Sequence, residues 1–290
     1  MRRWKEFVRK KDLNPFQYSV NTLLEFLTVL FKAGLGYSAI NTARSAVSAI
    51  VFSDSVSLGS HPLIVRFMKG VFELRTPQSK YSFTWDVQIL FDYFKTCTDK
   101  SAKFLTHKLC ALLMLATAQR VQTLHTLKLS NICFTNLGCT IFIDDKLKHS
   151  RIGYHQPPIK LKYFPEKSIC PVTCLKEYLD ITKKPRGNQN ELFLSYQSPY
   201  LPASKDTISR WLRFVLKSAG IHNFAPHSFR SAASSNMYNQ GMDLGEILKT
   251  AGWSRASTFY KFYYKPCINS AKENKIQESK NSILNYFAKK

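Results

Sequence analysis

Acidic side chains are scarce in this 290-residue chain. Nineteen Asp and Glu stand against 42 Lys and Arg, a net charge of +23 and a pI near 9.8. Metal-assisted phosphate chemistry needs clustered carboxylates, and no convincing cluster is visible in the sequence. There is no G-x-x-x-x-G-K-[ST] loop, which argues against a nucleotide triphosphatase. Neither G-x-S-x-G nor H-E-x-x-H occurs, so serine-hydrolase and zinc-protease signatures are missing as well. Long apolar runs are missing too. The longest, "TLLEFLTVLF" (22–31) and "LCALLMLATA" (109–118), fall short of the ~20 residues that span a bilayer and read as buried helices. "MRRWKEFVRKK" carries no apolar signal core. The seven cysteines, Cys97, Cys110, Cys133, Cys139, Cys170, Cys174 and Cys267, are odd in number and irregular in spacing. Cys170 and Cys174 have no second pair and no His-x-x-x-His nearby, so the chain reads as intracellular, with reduced thiols and no zinc. No metal, no cofactor and no membrane partner are expected.

What is present supports a folded, nucleic-acid-binding protein. Hydrophobic residues make up 44% and aromatics 13%, enough for a real core. A globular chain this basic repels itself unless an anion shares the load, and phosphate neutralisation with counterion release is the usual remedy. The cations run from Arg2 to Lys290 with no single long tail, a pattern suited to wrapping a ligand.

Residues 16–72 read as helices. "NTLLEFLTVLFKAG" stops at Gly34, "SAINTARSAVSAIVF" has Ser38 as its candidate cap, and "HPLIVRFMKGVFEL" carries Pro62 in its first turn. Residues 1–75 thus form a small helical unit, which reads as lacking a first helix before Met1. The polar stretch around Pro77 reads as a linker over 76–83. Helices resume with "TWDVQILFDYFK" (84–95) and the apolar "KFLTHKLCALLMLATAQ" (103–119). The period changes at 139–164, where "CTIFIDD" and "PPIKLKYF" predict a hairpin. Helices return at "CPVTCLKEYLDIT" (170–182) and "SKDTISRWLRFVLKSAG" (204–220), the latter stopping at Gly220. The fold class is therefore mainly α with a small antiparallel β-sheet: an N-terminal helical domain, then a mixed α/β domain over 84–267 and a polar tail at 268–290. In the tail, Ile283, Leu284 and Phe287 form a small apolar face able to dock on a neighbouring copy.

Several side chains in this frame suit phosphate chemistry. His227 and Arg230, in "APHSFRSA", share a helix face; Arg offers a planar fork of donors, and His exchanges a proton near neutral pH. Arg120 directly follows the apolar helix and needs a counter-charge. The nearest acids after it are Asp144 and Asp145, and a phosphate would also serve. Lys146, Lys148 and Arg151 fall in the hairpin turn, where a flexible ammonium can reach a leaving oxygen. Trp253 has an indole N–H in search of an acceptor, and Ser254 is a candidate cap for "STFYKFYYKP". On that helix the periodicity puts Phe259, Phe262 and Tyr263 on one inward face and Tyr260 and Tyr264 nearer solvent. Periodicity alone does not choose a nucleophile.

The ordered set Arg120, Lys148, "HSFR" (227–230), "AGW" (251–253) and the tyrosine cluster resembles the tyrosine recombinase superfamily over roughly residues 82–267. The stretches "RVQTLHTLKLSNI", "KHSRIGYHQPPIKL" and "AGWSRASTFYKFYYKP" are similar in wording to recombinases of DIRS-like and Ngaro-like retroelements of eukaryotes. Thr123 stands where many members carry an acid, and Trp253 where His is commoner. The resemblance implies that residues 1–75 are a core-binding domain and 84–267 a catalytic domain. It implies an integrase that cleaves and rejoins double-stranded DNA through a 3′-phosphotyrosyl link, without metal or ATP, as a tetramer on two duplexes in the nucleus. Arg120 and Arg230 would hold the phosphate, Lys148 would protonate the leaving oxygen, and His227 would assist proton transfer. Trp253 would donate to or pack on the phosphate. Tyr263 would attack, with Tyr264 and Tyr260 as alternatives. A silent DNA-binding protein kept from such an element and a type IB topoisomerase are the competing readings.

Overall fold

A computed structural model of the protein describes residues 1–51, 57–77, 81–147, 150 and 157–268. The chain divides into two compact units between Lys80 and Tyr81.

The first unit is four helices: α1 (Arg2–Lys10), α2 (Val20–Lys32), α3 (Tyr37–Ser48) and α4 (Pro62–Leu74). Helix α1 is absent from the sequence reading. Its apolar stripe is one turn long, with Trp4 and Val8 buried and Phe7 packed beside them on Phe26, set among charged residues and too short to stand out by periodicity. Ser19 caps α2 through the Thr22 N–H, and Pro62 opens α4 where a missing N–H costs nothing. The cap of α3 is Gly36, two residues before Ser38, and no side chain bonds there. Trp4, Leu23, Phe26, Leu27, Ile40, Ile64 and Met68 lie in one core. Arg75 closes this unit. Its guanidinium donates to the Phe31 and Leu35 carbonyls at 2.7 and 2.8 Å and stacks on the Phe31 ring, satisfying the orphan acceptors at the end of α2.

The second unit is built around α6 (Ala102–Thr117), buried along nearly its whole length as its all-round apolar sequence requires. It packs against α8 (Pro171–Arg186), α9 (Lys205–Ser218) and α10 (Ser228–Asn239). Helix α5 (Val87–Thr96) begins later than expected. Asp86 caps it, and the preceding Thr84–Trp85 is a strand, β1, paired in parallel with β5 (Cys267–Ile268). The two ends of the unit are thereby stitched together.

The hairpin is present as β3 (Gly138–Ile141) and β4 (Ile159–Lys162), antiparallel with Cys139 opposite Leu161 and Ile141 opposite Ile159. A third strand, β2 (Ile132–Thr135), pairs with β3 on its other side. It escaped the sequence reading because its residues are mostly exposed and show no alternation. Gly138 is required at the crossing: a Cβ there would meet the Leu161 carbonyl at 1.9 Å. The β3–β4 connection carries Lys148 and Arg151, which lie outside the described residues, as does the tail beyond Ile268.

His107, midway along α6, is buried among Tyr196, Trp211 and Phe214, and its Nε2 has no partner. Burial, then repulsion from Lys103, pushes its pKa down to about 4. The folded value lies below the unfolded one, so the stability present above pH 6.5 is lost as pH falls toward 4. We expect thermal denaturation to show about 1–2 kcal/mol less stability at pH 5 than at pH 7. A His107→Gln variant should lose most of that difference.

Candidate active site

Four chain segments of the second unit converge on one guanidinium. The first is the turn after α6. Ala118 adopts a left-handed conformation (φ +47°) that ends the helix and leaves its carbonyl free, and Arg120 follows, half-buried, at the start of α7 (Val121–His125). Gln119, buried in this turn, donates to the Thr250 carbonyl at 2.5 Å and accepts from the Thr123 hydroxyl at 3.2 Å. The threonine that stands in place of an acid is therefore a buried strut.

The second segment is the start of α10. His227 occupies the cap position, exposed, while Arg230 in the first turn has no accessible surface. Trp85 of β1 fastens this turn by donating to the Ser228 hydroxyl at 2.8 Å.

The third segment ends α11 (Leu244–Ala251). Gly252 takes φ +67°, a left-handed turn that glycine adopts without strain, and Trp253 follows. The fourth is α12 (Ala256–Phe262) and its exit. Its cap residue is Arg255 and no side chain bonds there, so Ser254 is not the cap. Phe259 is buried and Tyr263, four residues on, is half-buried. Phe262 is 57% exposed, contrary to the sequence expectation. A two-turn helix buries only the narrow i, i+4 strip, and Phe262 falls outside it.

Arg230 binds these segments together. Nη1 donates to the Ala118 carbonyl at 2.7 Å and Nη2 to the Ala251 carbonyl at 2.8 Å. The guanidinium lies 4.3 Å from the Trp253 ring centroid and 5.1 Å from that of Tyr263. Trp253 and Tyr263 stack at 4.5 Å, and His227 lies 5.9 Å from Tyr263. No carboxylate pairs with Arg230 among the described residues. Burial, then repulsion from Arg120, pushes its pKa down to about 10, with attraction to the Tyr263 hydroxyl as a partial offset. A depressed base disfavours the folded state at neutral pH, and an anion seated between the two arginines would relieve that cost. Two donors, Arg230 Nε and Trp253 Nε1, are buried and unpartnered, which is the condition of a site built for an absent acceptor.

The alternatives Tyr260 and Tyr264 face elsewhere. They are 46% and 41% exposed and gather around Tyr238 on the other side of Phe259, with the Tyr238 and Tyr260 hydroxyls 3.2 Å apart. Of the residues singled out from the sequence, Arg120, His227, Arg230, Trp253 and Tyr263 thus come together, and Lys148 lies outside the described residues. Sequence reasoning missed Gln119 and Ser235. Both are buried polar side chains with tertiary partners, a property that no local pattern signals.

Comparison with known proteins shows the fold of the chain. The Tn1549 transposon integrase in complex with transposon right-end DNA superposes with a TM-score of 0.58 at 15% identity, covering 84% of this chain and 80% of that one. The XerH site-specific recombinase bound to difH substrate matches with a TM-score of 0.54 at 15% identity, covering 83% of this chain and 66% of its own. The lambda integrase dimer bound to a COC′ core site gives 0.51 at 17%, with 84% and 64% covered. This chain therefore spans about two thirds of the latter two. No curated protein matches its sequence. The phage integrase family matches residues 86–267, from the cap of α5 to the start of β5. With the helical frame, the three-stranded sheet and the arginine-centred cluster on the same residues, the chain belongs to the phage integrase family.

Proposed function

We propose that this protein is a site-specific DNA recombinase that cleaves and rejoins DNA through Tyr263. The observation that carries the reading is Arg230. It is a buried cation without a carboxylate partner among the described residues, repelled by Arg120, and lies over the rings of Trp253 and Tyr263. That set suits a phosphodiester and no other common partner as well. The Tyr263 oxygen attacks phosphorus and forms a phosphotyrosyl bond, while the bond to the 5′-oxygen breaks. The phenol proton passes toward His227, and Lys148 supplies the proton that the 5′-oxygen gains. The phosphoryl bond is conserved, so rejoining is the same step reversed and needs neither ATP nor metal. Arg120 and Arg230 hold the non-bridging oxygens.

Double-stranded DNA is the partner, and strand exchange requires an assembly, here a tetramer on two duplexes. The motif wording supports descent from a DIRS-like or Ngaro-like element, hence action in a nucleus.

The test is a nicked suicide duplex, drawn from candidate element ends or a random pool. A covalent protein–DNA adduct resistant to denaturation is the expected product. Absence of an adduct on DNA that the protein binds would leave a silent DNA-binding protein. Adduct with relaxation but no strand transfer would indicate a topoisomerase. Lys148→Ala should lower adduct formation on ordinary DNA roughly 10²–10⁴-fold. It should recover on a substrate whose leaving 5′-oxygen is sulfur, because a thiolate leaves without a proton.

A further inference from the structure

Helix α12 ends at Phe262, and the way it ends decides where the Tyr263 ring goes. The Tyr263 and Tyr264 N–H groups both reach back to the Phe259 carbonyl, at 2.8 and 2.9 Å. The next N–H is that of Lys265. It donates to the Ser235 hydroxyl at 3.1 Å, and the same hydroxyl donates to the Tyr263 carbonyl at 3.0 Å. Ser235 is 1% exposed and sits on α10, five residues after Arg230. One rigid helix thus holds the guanidinium through its side chain and the backbone on both sides of Tyr264 through Ser235.

We propose that Ser235 is a positioning residue that sets the Tyr263 ring over Arg230 and Trp253. The inference rests on the reading of Tyr263 as nucleophile. A serine in mid-helix ordinarily bonds a carbonyl one turn back. Ser234 does so, donating to the Arg230 carbonyl at 2.7 Å. Ser235 instead spends its single proton and a lone pair on the tyrosine segment, stopping the helix where it does. Without that stop the Lys265 N–H is free to take the Lys261 carbonyl. The helix then gains a residue, and Tyr263 turns away from the arginine. Lys265 adds a second tie, its ammonium donating to the Tyr81 carbonyl, while the Tyr81 hydroxyl accepts from the Ala225 N–H at 3.0 Å, just before His227.

Ser234→Ala provides a matched control: the same helix, the same atoms removed, a buried hydroxyl lost, but no tie to the tyrosine segment. The experiment measures single-turnover adduct formation at saturating suicide DNA for wild type, Ser235→Ala, Ser235→Thr, Ser234→Ala and Tyr263→Phe. DNA affinity and melting temperature are measured in parallel. Misplacing a reacting atom by about 1 Å costs up to ~10²-fold, so Ser235→Ala should slow the step roughly 10- to 100-fold with DNA affinity unchanged. Ser235→Thr, which keeps a hydroxyl, should recover to within about threefold, and Ser234→Ala should match wild type. Equal rates for the two alanine variants would overturn the proposal while leaving Tyr263 as nucleophile. A slow Ser234→Ala as well would reduce Ser235 to general helix packing and also overturn it. An adduct that survives Tyr263→Phe would overturn the functional assignment of Tyr263 and this inference with it.

Discussion

Tyr263→Phe abolishes the covalent adduct, while Tyr260→Phe and Tyr264→Phe leave its rate within about twofold of wild type. This is the largest effect we expect, since removal of a nucleophile leaves no route to the intermediate. The reason lies in the surroundings of the three rings. Tyr263 packs on Trp253 at 4.5 Å with the Arg230 guanidinium 5.1 Å from its centroid. Tyr260 and Tyr264 lie against Tyr238 instead. The phenylalanine variant keeps the ring and its stacking, so the fold should be unchanged and DNA affinity close to wild type. Adduct mapping by mass spectrometry after protease digestion checks the assignment, and a modified peptide containing a labelled Tyr264 would refute it.

The second large effect is at Arg230. Arg230→Lys keeps the positive charge yet should lower adduct formation roughly 10²–10³-fold, the range for removal of one preorganised donor to a developing oxyanion. An ammonium cannot span the Ala118 and Ala251 carbonyls while also presenting an Nε edge, nor stack flat on Trp253. DNA affinity should fall far less, because one contact among many phosphate contacts is changed. Leaving a buried carbonyl unpaired costs about 1–3 kcal/mol, so a lower melting temperature is expected alongside, and rates are compared below it. A lysine variant within fivefold of wild type would mean that charge alone suffices and that the fork geometry is incidental.

The sequence was informative wherever a signal is local. Helix α6 announces itself by an unbroken apolar run, α2 by its stop at Gly34, and the β3–β4 hairpin by its change of period. The candidate site was legible as an order of residue types along the chain. What was not legible was burial against distant partners. Exposed β2 and the thin stripe of α1 gave no period to detect. Thr84 and Trp85 read as the start of a helix because their strand partner lies near the other end of the unit. Ser38 and Ser254 have the residue type of a cap, yet the backbone enters α3 and α12 at Gly36 and Arg255, without a side-chain cap bond at either.

The tyrosine question separates the two kinds of information most clearly. The sequence alone determined that this chain is basic and acid-poor and carries an ordered set of residues that resembles the tyrosine recombinase set, because charge and residue type are properties of the chain itself. Which tyrosine meets the arginine was decided only in three dimensions. Arg230 is singled out with His227 in the sequence, but its place under Trp253 is set by its two carbonyl partners, contributed by residues 112 positions before it and 21 after. The resemblance favours Tyr263 over Tyr264 and Tyr260, whereas its place beside Arg230 follows from the end of α12 against Ser235. Both outcomes depend on contacts between segments far apart in sequence, and helical periodicity extends no further than the helix that carries it.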